Sequence, residues 1–203
     1  MTFGLVKHNN NSISAITSSG QLAQGKMTLL QTQTASSSAS ISFTSNIDST
    51  YPIYLFKFIN IHPATDGAEF TINFSTDSGS NYNVAKTTTF FVAYNAESES
   101  SSGLTYIDSL DIAQGTGFID IGAGDTGNGN DESLSGKMHL FDPSNTTFVK
   151  HFMARSSCYN PNDTEVDAFV SGYFNTTSAI DAIQFKMSSG NIDAGTIKMY
   201  GVV

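Results

Sequence analysis

Beyond residue 26, apolar and polar positions alternate with a period of two, and Ser, Gly, Asn and Asp interrupt the alternation at short intervals. That pattern belongs to antiparallel strands with one face turned to a core and turns between them. "KMTLLQTQT" (26–34) and "SASISFTS" (38–45) are two such runs. In "AEFTINFST" (68–76), Phe70, Ile72 and Phe74 are expected inward and Glu69, Thr71 and Asn73 outward. "KTTTFFVAYNAE" (86–97) sets Phe90, Val92 and Tyr94 on one face. "YPIYLFKFINIH" (51–62) is apolar at both parities, which predicts a central strand covered on each side. Further runs lie at 136–143, 146–157, 165–175, 182–187 and 195–203, and no stretch sustains a helical period, a heptad or an internal repeat.

Nine or ten short strands of this kind predict an all-β fold, a jelly-roll-like antiparallel β-sandwich over residues 26–203. The last strand continues to the end of the sequence, with Ile197, Met199 and Gly201 alternating against Lys198, Tyr200 and Val202. It should be integral to a sheet. Before it, "SSGNIDAG" supplies Gly190, Asn191 and Gly195 for the turn of a closing hairpin. Residues 1–25 are polar, with isolated apolar positions at Phe3, Leu5, Val6, Ile13, Ile16 and Leu22, too sparse for a core of their own. They read as an extended N-terminal arm that orders against a neighbouring subunit. Residues 97–136 form a long Gly-rich loop, with short paired pieces expected around 104–107 and 118–121.

Composition adds two constraints. Only 13% of residues are charged, about half the usual share, so the surface is made polar by hydroxyls and amides. The net charge is −9, and no basic residue lies between Lys86 and Lys137, where eight of the 18 acidic residues sit. Such a field repels phosphate and disfavours a nucleic acid or an anionic membrane as partner. Cys158 is the one cysteine, which leaves no intrachain disulfide and no cysteine-based zinc site and reads as a small packing residue. The longest apolar stretch is too short to span a bilayer, and no secretory signal is visible.

The chain carries no G-x-S-x-G elbow, phosphate loop, dinucleotide fingerprint or H-E-x-x-H. His139 and His151 alternate with apolar neighbours and read as strand residues. No catalytic residue and no organic cofactor is therefore expected. "DIGAGDTGNGNDE" groups Asp120, Asp125, Asn128, Asn130 and Asp131 among glycines, oxygen donors of the type that calcium takes; the competing reading is an exposed acidic loop. Tyr82, Tyr106 and Tyr159 fall in loops where aromatic side chains could face a ligand.

"YFNTTSAIDAIQFKMSSGNIDAGTIKMYGVV" (173–203) is similar to the C-terminal ends of short β-rich virion structural proteins of marine and cyanobacterial bacteriophages. Its Ile-x-x-Ile-x-Phe strand, Ser-Gly-Asn turn and final Gly-x-Ile-x-x-Tyr-Gly strand carry the resemblance. "QTASSSASISFTSNIDSTYPIYLFKFINIHP", "FSTDSGSNYN" and "HLFDPSNTTFVKHF" look like other parts of that family. The resemblance implies a non-enzymatic component made in the host cytoplasm and exposed on the virion, as capsid decoration or a compact tail appendage. Its partners would be other virion proteins and further copies of itself, with a trimer favoured. The alternative is a receptor- or carbohydrate-binding module of the tail that takes a host surface glycan.

Overall fold

The structure is a computed structural model and describes residues 27–122 and 124–203; the arm residues Phe3, Leu5, Val6, Ile13, Ile16 and Leu22 lie outside them. Twelve strands are present among the described residues: β1 (Met27–Ser38), β2 (Ile41–Phe43), β3 (Ile53–Pro63), β4 (Phe70–Ser75), β5 (Lys86–Ala96), β6 (Ser102–Tyr106), β7 (Ile119–Asp120), β8 (Leu134–Phe141), β9 (His151–Asn160), β10 (Thr164–Phe174), β11 (Ala182–Met187) and β12 (Ile192–Val202). They form two antiparallel sheets, one of eight strands in the order β1-β12-β3-β8-β9-β10-β5-β6 and one of four in the order β2-β11-β4-β7. The all-β sandwich expected from the alternation is what the chain forms. Along the sequence, β1, β12, β3 and β8 connect directly to β2, β11, β4 and β7, one large-sheet strand to one small-sheet strand in matching order. The strands β5 and β6, and then β9 and β10, are additions that widen the large sheet.

The closing hairpin is not formed. β11 pairs with β2 and β4 in the small sheet, whereas β12 pairs with β1 and β3 in the large one. The turn residues at 188–191, with Gly190 at φ 67°, therefore carry the chain across the core rather than back along its neighbour. Gly195 belongs to β12 itself, at a register irregularity opposite Asn60 and Ile61. Its φ is 125°, and a Cβ there would lie 2.7 Å from the Asn60 carbonyl oxygen, so only glycine fits. β12 is interior to the large sheet, flanked on both sides, as its unbroken alternation requires.

Two expectations about strand faces need correction. β4 is buried at all six positions, so Thr71 and Asn73 point away from the core without reaching solvent. Alternation tells which face a residue occupies; it does not tell what covers that face. Here loops cover it, and the polar groups are satisfied locally: the Thr71 hydroxyl donates to the Lys186 carbonyl, and the Asn73 amide donates to the carbonyls of Tyr82 and Thr116. Lys86 is fully buried alongside, its ammonium donating to Asn73 Oδ1 at 2.8 Å and to the Val84 carbonyl at 3.0 Å, and burial lowers its pKa to about 8. β3 does lie in the sheet interior, but apart from the buried Leu55 only its inner face is closed. Tyr54, Phe56 and Phe58 are buried there, while Ile53, Lys57 and Ile59 on the other face are open to varying degrees.

The sheets meet in an aromatic cluster centred on Phe185 of β11. Its ring stacks on Phe70 with centroids 5.7 Å apart and 11° between planes, and meets Phe43, Phe56 and Phe58 within 6.1 Å. A small sheet of four strands cannot cover eight. The segment between β6 and β8 completes the covering: Ile119 and Ile121 are buried in the common core, and Ile107, Leu110 and Ile112 pack against it. The short strand pieces expected in this segment are present as β6 and β7, paired with β5 and β4, but much of it is core lining rather than a solvent loop. The Ser156 hydroxyl, on the inner face of β9, donates to the Ile121 carbonyl at 2.6 Å and pins it there.

Phe185→Ala is expected to lower the unfolding free energy by about 3–5 kcal/mol, read from the urea midpoint. Phe148→Ala, at a position 69% exposed, should change it by less than about 0.5 kcal/mol. Equal effects at the two sites would contradict the central role of the Phe185 cluster.

Candidate functional site

Strand register arranges the outer face of the eight-stranded sheet in rows. One row runs across all eight strands: Thr32, Lys198, Lys57, Lys137, Arg155, Phe169, Phe91 and Tyr106. Four consecutive cations thus lie side by side, followed by three aromatic rings. The rows on one side are largely apolar, with Leu29, Tyr200, Leu55, His139 and Met153 in one and Met27, Val202, Ile53, Phe141, His151 and Tyr173 in the next. On the other side, Ser135, Ser157 and Asp167 follow.

Three open hollows of about 480, 510 and 530 Å³ lie on this one face. Lys57, Lys137 and Arg155 border the first with Ser135, Ser157 and Asp167. His151 and Tyr173 line the second, and Ile53, His139 and Phe169 the third. Within the row, Arg155 is fixed on both sides. Its Nε donates to Asp167 Oδ1 at 3.0 Å, and its guanidinium lies 4.8 Å from the centre of the Phe169 ring, which in turn stacks on Phe91 with 2° between planes. Lys57 Nζ stands 5.3 Å from the centre of the Tyr200 ring. Burial, and then the neighbouring Lys137 ammonium, hold the His139 imidazole below its usual range.

The residues singled out from the acidic segment are held apart by separate duties. Asp120 is buried, and its carboxylate accepts the Gly122 N–H at 2.6 Å and the Gly124 N–H at 2.7 Å. Burial pushes its pKa up to about 7, against those two bonds, and the charges of Glu69 and Asp125 add to the rise. Asp120 braces the segment that lines the core; it is not an exposed loop carboxylate. The Asn128 amide donates to the Ala64 carbonyl, while Asp125, Asn130 and Asp131 are exposed. Among the described residues no three His, Cys, Asp or Glu side chains gather as a metal-holding group.

The three tyrosines are also on different elements. Tyr82 lies in the β4–β5 connection with its phenol over Gly79. Tyr159, at the end of β9, donates to Asp163 Oδ1 at 3.1 Å. Tyr159 and Tyr106 both belong to the outer face, Tyr159 two positions beyond Ser157 on β9 and Tyr106 at the end of the cationic and aromatic row, where its hydroxyl donates to the Asp111 carboxylate. Cys158 is buried as expected, and burial raises its thiol to about 11, so it is an inert packing group. The row itself escaped the sequence reading, because neighbours within it are 14 to 166 positions apart in the chain and only the sheet order brings them together. The available signal was that Lys57, Lys137 and Lys198 each interrupt a strand rich in apolar residues.

Comparison of the chain with family models, with curated proteins and with solved structures finds no match.

The buried Asp120 yields a pH prediction. Its folded pKa is raised above the unfolded value, so its stabilising contribution is complete below about pH 4 and is lost as pH rises through about 7. Asp120→Asn cannot ionise and leaves one of the two N–H groups without an acceptor. The variant should melt below wild type near pH 4, and the gap should narrow towards pH about 8. A gap that stays constant across this window in thermal melts would refute the assignment.

Proposed function

We propose that this chain is a non-enzymatic structural protein of a bacteriophage particle. Its body is a jelly roll exposed on the virion, as capsid decoration or a compact tail appendage, and it assembles in symmetric copies. The matching order of β1-β12-β3-β8 and β2-β11-β4-β7 supports the jelly-roll reading, because it is the arrangement that two interlocked Greek keys produce. Viral capsid and lectin domains share that architecture, which raises the prior for a particle protein by analogy. The likeness of residues 173–203 to phage virion proteins points the same way.

The observation that carries the assembly reading is the apolar half of the outer face. Leu29 and Met153 are 51% and 57% exposed in one row, with Met27 and the half-buried Ile53, Phe141 and Tyr173 beside them. Contiguous apolar surface of this kind marks a contact surface. A closed ring of copies would bury the same patch on each subunit. The row of cations favours a second reading, a receptor- or carbohydrate-binding module.

Light scattering after size exclusion is expected to give a mass near three times the 21.7 kDa chain at micromolar concentration. Met153→Glu should reduce it to a single chain while leaving the melting temperature within a few degrees. Immunogold labelling of phage particles carrying the chain should mark their surface. A monomeric wild type would overturn the assembly reading, and unlabelled particles, with an antibody that recognises the purified protein, would overturn the virion reading.

A further inference from the structure

We infer that the row Lys198, Lys57, Lys137 and Arg155 is a binding track for an acidic polysaccharide of the polyuronate class, laid across the strands of the large sheet. The inference rests on the proposed surface exposure of the protein only in requiring this face to be reachable. It does not require any particular oligomer.

The first argument is distribution. The chain has nine basic residues and a net charge of −9. Seven of the nine are among the described residues; Lys86 and Lys150 are buried, and Lys186 lies on the small sheet over the Phe118 ring. The remaining four stand on four adjacent strands, directly opposite one another. Among the described residues, four of the five cations that are not buried stand in one line.

The second argument is cost. Like charges directly opposite across strands destabilise a sheet. Arg155 is relieved by Asp167, yet neither Lys57, Lys137 nor Lys198 has a carboxylate within 4.0 Å among the described residues, where the ion pairs are His62–Asp193 and Arg155–Asp167. Folding alone would favour an alternating row. An uncompensated one is what an external anion would complete.

The third argument selects the anion. Adjacent strands are about 4.8 Å apart, so the cations repeat at roughly the spacing of successive residues in a linear polymer. The line is one cation wide. Hydroxyls of Ser135 and Ser157 border it on one side, and the Tyr200 ring and Met153 on the other. A polyuronate offers the complementary set: one carboxylate per sugar, hydroxyls beside it, and apolar C–H faces to lie on a ring. A nucleic acid fits worse. Duplex DNA carries one charge per about 1.7 Å, and the acidic Asp167 and Glu165 next to the track would repel its second strand. The row runs beside the apolar rows rather than through them, so a glycan chain can follow it past a subunit contact.

The test is affinity electrophoresis of the full chain through gels holding polygalacturonate, neutral dextran, dextran sulfate or duplex DNA. Polygalacturonate should retard the protein at low salt, with the effect fading as salt rises; dextran should not. The triple variant Lys57→Gln, Lys137→Gln, Lys198→Gln should bind polygalacturonate more than about tenfold more weakly. Its oligomeric mass should be unchanged, and its melting temperature should be no lower than wild type, because the like-charge repulsion across the strands is removed. A control carrying Thr44→Glu, Ser80→Glu and Lys186→Gln makes the same change in net charge away from the track and should bind as wild type. Absence of retardation, equal loss in the control, unweakened binding by the triple variant, or tighter binding to DNA or dextran sulfate would each overturn the inference. An oligomer that ignores polygalacturonate would refute the track and leave the assembly reading standing; a monomer that binds it would do the reverse.

Discussion

The architecture depends on the contact between Phe185 and the four phenylalanines around it. Phe43 and Phe70 reach that ring from β2 and β4 of the small sheet, and Phe56 and Phe58 from β3 of the large one. Because neighbouring strands in the sequence alternate between sheets along the first half of the fold, every crossing of the chain is a chance for the layers to separate. Stacked and edge-on rings with directional preferences, each burying a large apolar area, hold the layers in one relative position. Only with that spacing set do the connections at 39–40, 64–69 and 188–191 have a fixed distance to span.

Unequal sheets have a consequence at the other end of the core. Phe74 of β4 still reaches Phe152 on β9, but β10 and β5 extend the large sheet further, leaving Ala168 and Phe90 in need of a cover. The segment from Ile107 to Thr126 supplies it, although its composition is acidic and glycine-rich. Gly122 lets the backbone come close, since a Cβ there would meet the Phe70 Cβ and the Leu134 side chain at 3.0 Å. Asp120 then holds the turn by accepting two backbone N–H groups. A carboxyl group enters the core here because the turn needs two acceptors at one point, and desolvation raises its pKa as a result.

These features divide into what a linear pattern can express and what it cannot. Period-two alternation depends on neighbours in sequence, so the strands, the all-β class and the membership of the last strand in a sheet were legible. Sheet membership depends on partners, and β11 and β12, read as a hairpin from their short Gly-Asn turn, belong to opposite layers. Covering depends on a third element, which is why Asn73 looked solvent-facing and is buried beneath the Tyr82 and Thr116 carbonyls. The acidic segment was read by its charge, whereas its fold follows from Ile107, Ile112, Ile119 and Ile121, four isoleucines too widely spaced to register as a run.

The same reasoning explains why the candidate site is a row and not a motif. A β-sheet presents chemistry perpendicular to the chain, so a surface built by eight strands collects one residue from each, and sequence spacing within it carries no information. Lysines at 57, 137 and 198 are unremarkable singly, each the one cation of its strand. Their alignment requires three independent registers, β12 on β3, β3 on β8 and β8 on β9, to agree without an intervening slip. The register does slip nearby, between Phe58 and Ile61 on β3 and between Ala194 and Thr196 on β12. Those irregularities fall beyond Lys57 and Lys198, on the side away from the apolar rows. The cations are therefore aligned within the regular part of the sheet, which is the part that the Phe56 and Phe58 contacts with Phe185 hold in place.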